Sequence, residues 1–255
     1  MDLSRVDPAD TDGVSEKKAR RKLEEYRPKL DELQQRLYSE RKRSLLVVIQ
    51  AMDTGGKDGV IRKVMTSLNP QGVTVTSFKK PTDEERRHNY LWRIERALPA
   101  AGMIGVFNRS QYEDILVPSI FKTAPARMVE ARYEEINGWE KRRVAEGCAI
   151  VKFFLHISRE EQKRRLQARI DDPKKNWKFN PDDLEMRALW PKFMEVYGKI
   201  LERTDTEHAP WHVVPADNKW YRDYLVARIV RRALQRLDPR YPPPPPGLDK
   251  IVIPD

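Results

Sequence analysis

Cysteine is nearly absent: Cys148 is the single one in 255 residues, which excludes an internal disulfide framework and suits a reducing compartment. No apolar run approaches the roughly 20 residues that a membrane span requires. The opening Met1-Asp-Leu-Ser-Arg-Val-Asp7 lacks the apolar core of a secretory signal. Internal repeats are missing, and no linker interrupts the middle of the chain. These absences predict one cytoplasmic domain, since a chain of this length can bury a sizeable core by itself. Charge, by contrast, is abundant: 35% of residues are charged, with 49 Lys and Arg against 39 Asp and Glu for a net charge of +10. Such an excess points to a polyanionic partner, whether a phosphorylated substrate, nucleic acid or acidic membrane. A heavily charged solvated surface accounts for the same number equally well.

Periodicity reads as alternating helices and strands. A charged helix is expected over 16–40, with Leu23, Tyr26, Leu30, Leu33 and Leu37 at helical spacing and Pro28 kinking or restarting it. The apolar run 45–49 suits a strand buried on both faces. Helical spacing resumes over 60–68 until Asn69-Pro70 stops it. Further strands are expected at 73–78, 103–107, 149–157 and 211–214. Helices are expected over 82–98, with Thr82 and Glu85 as a capping box, over 125–146 and over 217–237. Strands separated by helices imply an α/β fold: a parallel five-stranded sheet with helices on both faces. Residues 1–15 and the proline-rich tail 241–255 read as extended or flexible ends of a single domain over 16–240. Trp92, Trp139, Trp190 and Tyr133 occupy apolar helix positions and are expected in the core, and His88 is expected at a surface or packing position.

The chemistry concentrates after the first strand, in Ala51-Met-Asp-Thr-Gly-Gly-Lys-Asp-Gly59. A strand opening into a glycine-rich turn that ends in lysine is the layout of a phosphate-binding loop at a helix N-terminus. Gly55, Gly56 and Lys57 fit that layout. Ala51 and Asp58, however, replace the usual first glycine and the usual Ser or Thr, and Asp53 adds a carboxylate inside the loop. Acidic groups in a phosphate cradle repel the ligand unless a divalent cation sits between them. Two more charged segments follow the next strands: Lys79-Lys80 with Arg86, Arg87, His88 and Arg93, then Asn108-Arg109 through Glu113-Asp114. Ligands of open α/β sheets bind beyond the C-terminal strand ends, so the three segments are expected to converge.

Taken together, Ala51–Gly59, Phe78-Lys-Lys-Pro-Thr82, His88-Asn-Tyr-Leu-Trp-Arg93, the block 105–117 and the segment 162–178 with Asp182-Asp183 and Arg187 resemble the polyphosphate kinase 2 family. The likeness extends over about 16–237. It implies a P-loop kinase fold, thymidylate kinase-like, with a helical lid around 160–190. It also implies phosphoryl transfer between inorganic polyphosphate and a nucleotide with Mg²⁺ or Mn²⁺, in a homo-oligomer (dimer or tetramer). By the same resemblance Asp53, Lys57 and Arg109 are catalytic, with Asp53 as metal ligand. Asp58 is read as a second metal ligand or as negative charge at a helix N-terminus. Asn108, Glu113, Asp114 and Arg187 are assigned to the nucleotide, and the Glu113-Asp114 pair resembles the subgroup that accepts both AMP and ADP, giving ADP and ATP; GMP and GDP are further acceptors to consider.

A polyanionic donor needs a basic channel. Its candidates are Gly55, Gly56, Lys57, Asp58, Lys79, Lys80, Arg86, Arg93, Arg109 and Arg127, with Arg164, Arg165, Arg169, Lys174, Lys175 and Lys178 from the lid. Two rival readings stand beside this one. An ATP-dependent nucleoside monophosphate kinase would share the loop, and a basic nucleic-acid-binding protein would share the charge. The second would interleave basic residues with exposed aromatics, whereas the basic residues here cluster at strand ends. Neither a nucleic-acid nor a membrane partner is therefore expected.

Overall fold

The computed structural model describes residues 1–254, with Asp249 described by its backbone alone. Strand β1, Ser44–Ala51, is buried along its whole length. Its alternating side chains feed two separate cores: Leu45, Val47 and Ile49 enter one, Leu46 and Val48 the other. That division is the consequence of a period-two strand at the centre of a sheet covered on both sides. Beside it lie β2 (Val73–Ser77), β3 (Ile104–Asn108), β4 (Cys148–His156) and β5 (Trp211–Pro215), in the order β2-β3-β1-β4-β5. Every pairing is parallel, with Leu45 opposite both Ile104 and Ala149. The expected five-stranded parallel sheet is therefore present.

One face of the sheet is covered by α1 (Glu16–Glu40), α2 (Lys57–Val64) and α10 (Lys219–Leu237), which contribute Leu30, Leu37, Val60, Val64, Val226 and Val230 to the first core. The other face carries α5 (Glu113–Phe121), α6 (Ala126–Ala145) and α9 (Trp190–Thr204), with Ile115, Ile136, Trp139 and Tyr197 in the second. Helix α1 runs through Pro28 as one element. Pro28 is exposed, so the carbonyl it leaves without a partner faces water. The helix expected over 82–98 is two short ones, α3 (Asp83–Arg86) and α4 (Trp92–Arg96). Thr82 and Glu85 do form the capping box, but Asn89 breaks the run. Its side chain accepts from the Leu91 N–H at 2.9 Å and its carbonyl from the Trp92 N–H at 2.8 Å, a local turn that competes with helix. Trp139 and Tyr133 are buried, while Trp92 and Trp190 are only partly so. His88 stacks on Trp92 with ring centres 4.1 Å apart and bonds Glu84 at 2.9 Å.

The segment before α1, expected as a flexible end, lies against the domain. Leu3 is buried, Pro8 accepts the Asp217 N–H at 3.1 Å, and Ala9 accepts from Asn218 at 3.0 Å. The tail from Tyr241 is exposed wherever its side chains are described. Above the C-terminal strand ends, α7 (Arg159–Asp171) and α8 (Asp182–Ala188) flank the segment 172–181 and form the wall expected of a lid. Among the described residues no helix is long and apolar enough to cross a membrane.

Candidate active site

The C-terminal ends of all five strands open on one cavity of about 890 Å³. After β1 come Asp53, Thr54, Gly55, Gly56, Lys57 and Asp58; β2 ends in Ser77, Phe78 and Lys79; Asn108 and Arg109 follow β3. On the other side of β1, α7 supplies Glu161, Arg164, Arg165 and Arg169 after β4, and α10 supplies Lys219 and Arg222 after β5. Helix α2 starts at Gly56 without a side-chain cap. Its first N–H groups and the positive end of its dipole are thus free to meet an anion. Gly56 has φ +100°, and a Cβ on Gly55 would come within 2.5 Å of Ala51 Cβ, so neither position tolerates a side chain. Thr54 and Arg109 also take left-handed φ values, +62° and +64°. Strain in two non-glycine residues at one site is characteristic of a functional centre.

Lys57 is buried and folded back, donating to Ala51 O at 3.0 Å. Burial pushes its ammonium below the ordinary lysine value and Arg109 adds to this, against the pull of Asp53, Glu113 and Asp58. A phosphate group arriving at the loop would supply the counter-charge that the lysine lacks. Arg109 donates through Nη2 to Asp53 Oδ1 at 3.0 Å, and Asn108 Nδ2 donates to Asp58 Oδ1 at 2.7 Å. Burial alone would lower the Arg109 guanidinium, yet Glu113 and Asp53 outweigh it and raise the value. Glu113 shows the converse. Loss of solvation raises its carboxyl, and Arg109 and Lys57 only partly offset that.

Thirteen residues named from the sequence therefore face one space: Asp53, Gly55, Gly56, Lys57, Asp58, Lys79, Asn108, Arg109, Arg164, Arg165, Arg169, Lys175 and Lys178. Arg165 is already engaged, donating to Thr54 O at 3.0 Å, Ala216 O at 2.6 Å and Glu161 Oε1 at 2.6 Å. It ties the loop to the β5–α10 connection. Lys80, Arg86, Arg127 and Lys174 are exposed outside the cavity lining, Arg86 pairing with Asp83 at 3.1 Å. Arg93 is buried beneath the β2 loop, donating to Lys79 O at 2.9 Å and facing Asp114 at 3.5 Å, so it shapes that loop from behind. Burial raises the Asp114 carboxyl against Arg93 and Arg132. Arg187 donates to Gln162 Oε1 at 3.0 Å, and Gln162 in turn donates to Asp53 O at 3.2 Å. Glu113, Asp114 and Arg187 thus stand behind the cavity wall.

Lys219 and Arg222 were not anticipated, although they follow a strand end just as the predicted segments do. Asp183 pairs with Arg169 at 3.0 Å, and the indole of Trp177 is 78% exposed within the lid wall.

The donor set suits a hard divalent cation. Asp53 and Asp58 are oxygen ligands in one loop, and the buried Thr54 Oγ1 between them in sequence has no hydrogen-bond partner. Among the described residues no three His, Cys, Asp or Glu side chains gather as a closed metal cage. Phosphate oxygens and water would have to complete the shell, as is usual for Mg²⁺.

The profile of the Polyphosphate kinase 2 family matches residues 13–242. An AMP/ADP-polyphosphate phosphotransferase of Meiothermus ruber is 45% identical over 255 residues, covering 99% of this chain and 96% of the relative. An ADP-polyphosphate phosphotransferase of Rhodopseudomonas palustris is 43% identical over 237 residues, covering 88% and 82%. The crystal structure of polyphosphate kinase 2 from Arthrobacter aurescens superposes with a TM-score of 0.95 at 44% identity, covering 98% of this chain and 90% of that one. With a parallel sheet, a glycine-lysine loop at a helix N-terminus and a lid above it, the chain is an α/β protein of P-loop kinase fold and belongs to the polyphosphate kinase 2 family.

Proposed function

We propose that the protein transfers phosphoryl groups between inorganic polyphosphate and nucleotides, converting AMP to ADP and ADP to ATP. The observation that carries this is Asp53 held by Arg109 inside a phosphate loop, at the floor of a cavity with cations on both sides of β1. The family and the printed activities of its relatives agree with it. Phosphoryl transfer asks the protein mainly for positioning and charge neutralisation. Lys57 and the α2 N-terminus would hold the transferring phosphate, and Arg109 would neutralise charge on its equatorial oxygens. Asp53 and Asp58 would hold a divalent cation, which when bound links phosphate oxygens to the acidic loop and offsets their charge. Closure of the segment between α7 and α8 would exclude water from the transfer. The test is to incubate the protein with polyphosphate, Mg²⁺ or Mn²⁺, and AMP, ADP, GMP or GDP in turn. Formation of ADP and ATP is expected. Product with ATP as donor and none with polyphosphate would overturn the reading.

Glu113 is proposed to favour the monophosphate acceptor. It begins α5 immediately behind Arg109 and acts on both Arg109 and Lys57. The Glu113→Asn substitution removes that charge but keeps a polar side chain. Activity with AMP is expected to fall roughly tenfold or more, the scale of one hydrogen bond to a charged group, and activity with ADP to fall much less. Equal losses in kcat/KM for the two acceptors would refute the assignment.

A further inference from the structure

The first turn of α10 carries cationic groups that the proposed transfer step does not use. Arg222 is 4% exposed, and its Nε and Nη2 both donate to Asp223 Oδ1, at 2.9 and 2.7 Å. Its Nη1 makes no hydrogen bond among the described residues, while the side chain lines the cavity. The guanidinium is pressed against the start of α2. A Cβ on Gly56 would lie 2.0 Å from Nη1, and one on Gly59 3.0 Å from Nη2. These two positions are therefore glycine partly because Arg222 occupies their side-chain space. The Arg165 guanidinium approaches the same point, with Nη1 at 3.4 Å from the Gly56 Cβ position.

Lys219, one turn before Arg222, lines the same wall. Glu161, Asp217 and Asp223 are its nearby acids, but each has other partners: Glu161 binds Arg165, Asp217 accepts the Ser158 N–H, and Asp223 clamps Arg222. Burial lowers the Lys219 ammonium, and the positive charges of Arg165 and Arg222 lower it further. Like charges crowded in a partly desolvated place are relieved by an anion. A preformed arginine with one free N–H edge at a helix N-terminus is built for phosphate.

We propose that the polyphosphate donor runs from the loop towards α10, with Arg222 Nη1 holding a phosphate unit behind the one being transferred and Lys219 holding the next. This rests on the polyphosphate reading above. Arg222 and Lys219 lie on the β4–β5 side of β1, whereas Lys79, Asn108 and Arg109 lie on the β2–β3 side. Donor and acceptor would then enter from opposite sides of the loop. Asp223 is a positioning residue, since it fixes the guanidinium so that Nη1 points outward.

The test compares Arg222→Met, Arg222→Lys and Lys219→Met with the parent protein, using inorganic polyphosphate of defined length. For Arg222→Met, the KM for polyphosphate should rise roughly 10- to 100-fold, the range of a charge-assisted hydrogen bond, while the KM for ADP stays within about twofold. Arg222→Lys should be intermediate, because lysine cannot hold Asp223 and a phosphate in the same fork geometry. Arg236→Met, on the same helix but lining a different cavity, should change neither constant, which separates a local contact from loss of net charge. An unchanged polyphosphate KM in both Arg222→Met and Lys219→Met overturns the proposal, and so does an equal rise in both KM values. If Arg222→Met fails to fold, Arg222→Lys and Lys219→Met carry the same comparison. If the parent protein makes no ATP from polyphosphate, the functional reading fails. Direct titration with polyphosphate then decides this inference, which is overturned if Arg222→Lys and Lys219→Met bind as tightly as the parent.

Discussion

The Asp53→Asn substitution is expected to lower turnover with polyphosphate by on the order of 10³-fold, with little change in melting temperature. The expected size is that of removing one charged group from a preorganised site for phosphoryl transfer. Asparagine has nearly the shape of aspartate and still offers Oδ1 to Arg109, so the loop and the 3.0 Å contact with Arg109 should persist. What disappears is the negative charge. In the parent protein that charge helps to hold Arg109 charged and in place, and offsets part of the burial penalty on Lys57. Without it, three consequences should appear together. Activity should become far less responsive to added Mg²⁺, because the loop keeps only Asp58 as a carboxylate ligand. Nucleotide KM should move little, since Asp53 acts on the transferring phosphate. The loss should fall on kcat, which marks an interaction made mainly in the transition state. Turnover within tenfold of the parent value would remove Asp53 from the reaction.

Much of the molecule was legible because local chemistry and global fold agree. The run Leu45–Ile49 reads as a doubly buried strand, and it is one because consecutive residues serve two different cores. Three site segments were legible by the same logic, since charged residues just after a strand end have few other reasons to cluster there. Where the sequence misled, the cause was a partner far away in the chain. Arg93 and Arg187 carry the charge that phosphate would want, but their donors are spent on Lys79 O and on Gln162, and spacing does not reveal that. Arg222 is the opposite case. It looks like one more cation on a basic helix, and its importance comes from Gly56 and Gly59, more than 160 positions earlier. Helix α5 is not among the predicted elements because nine residues with Pro118 inside carry almost no periodic signal. Asn89 misled in a different way: its side chain made a local turn more favourable than a continuous helix over 82–98.

Glu140 carries the largest stability effect we expect from a single side chain. Lys152 on β4 and Glu140 on α6 are both fully buried, with Nζ and Oε2 2.6 Å apart. The pair is completely satisfied. Lys152 also donates to Tyr112 Oη and Thr204 O, each at 2.8 Å, and Glu140 Oε1 accepts from Tyr112 at 2.7 Å and Gln111 at 3.0 Å. Removing one partner leaves the other charge buried alone, which typically costs about 3–5 kcal/mol. For Glu140→Ala this corresponds to a fall in melting temperature on the order of 10 °C in a domain of this size. Replacing both, as Glu140→Leu with Lys152→Met, should cost clearly less than either single change, because no uncompensated charge remains.

The pH dependence gives an independent check. Burial lowers the Lys152 ammonium and Glu140 opposes that, so without Glu140 the folded-state value drops further. Between that lowered value and the ordinary lysine range the unfolded chain binds the extra proton, so the deficit of Glu140→Ala should shrink as pH rises through this window. The double variant should show no such slope. Gln111 and Tyr112 lie directly between Arg109 and Glu113, so the network also fixes the strained backbone that aims Arg109 at the phosphate loop. In Glu140→Ala, kcat should therefore fall even at temperatures where the protein remains folded, and a variant with reduced stability but parental kcat would show that the network only holds the core together.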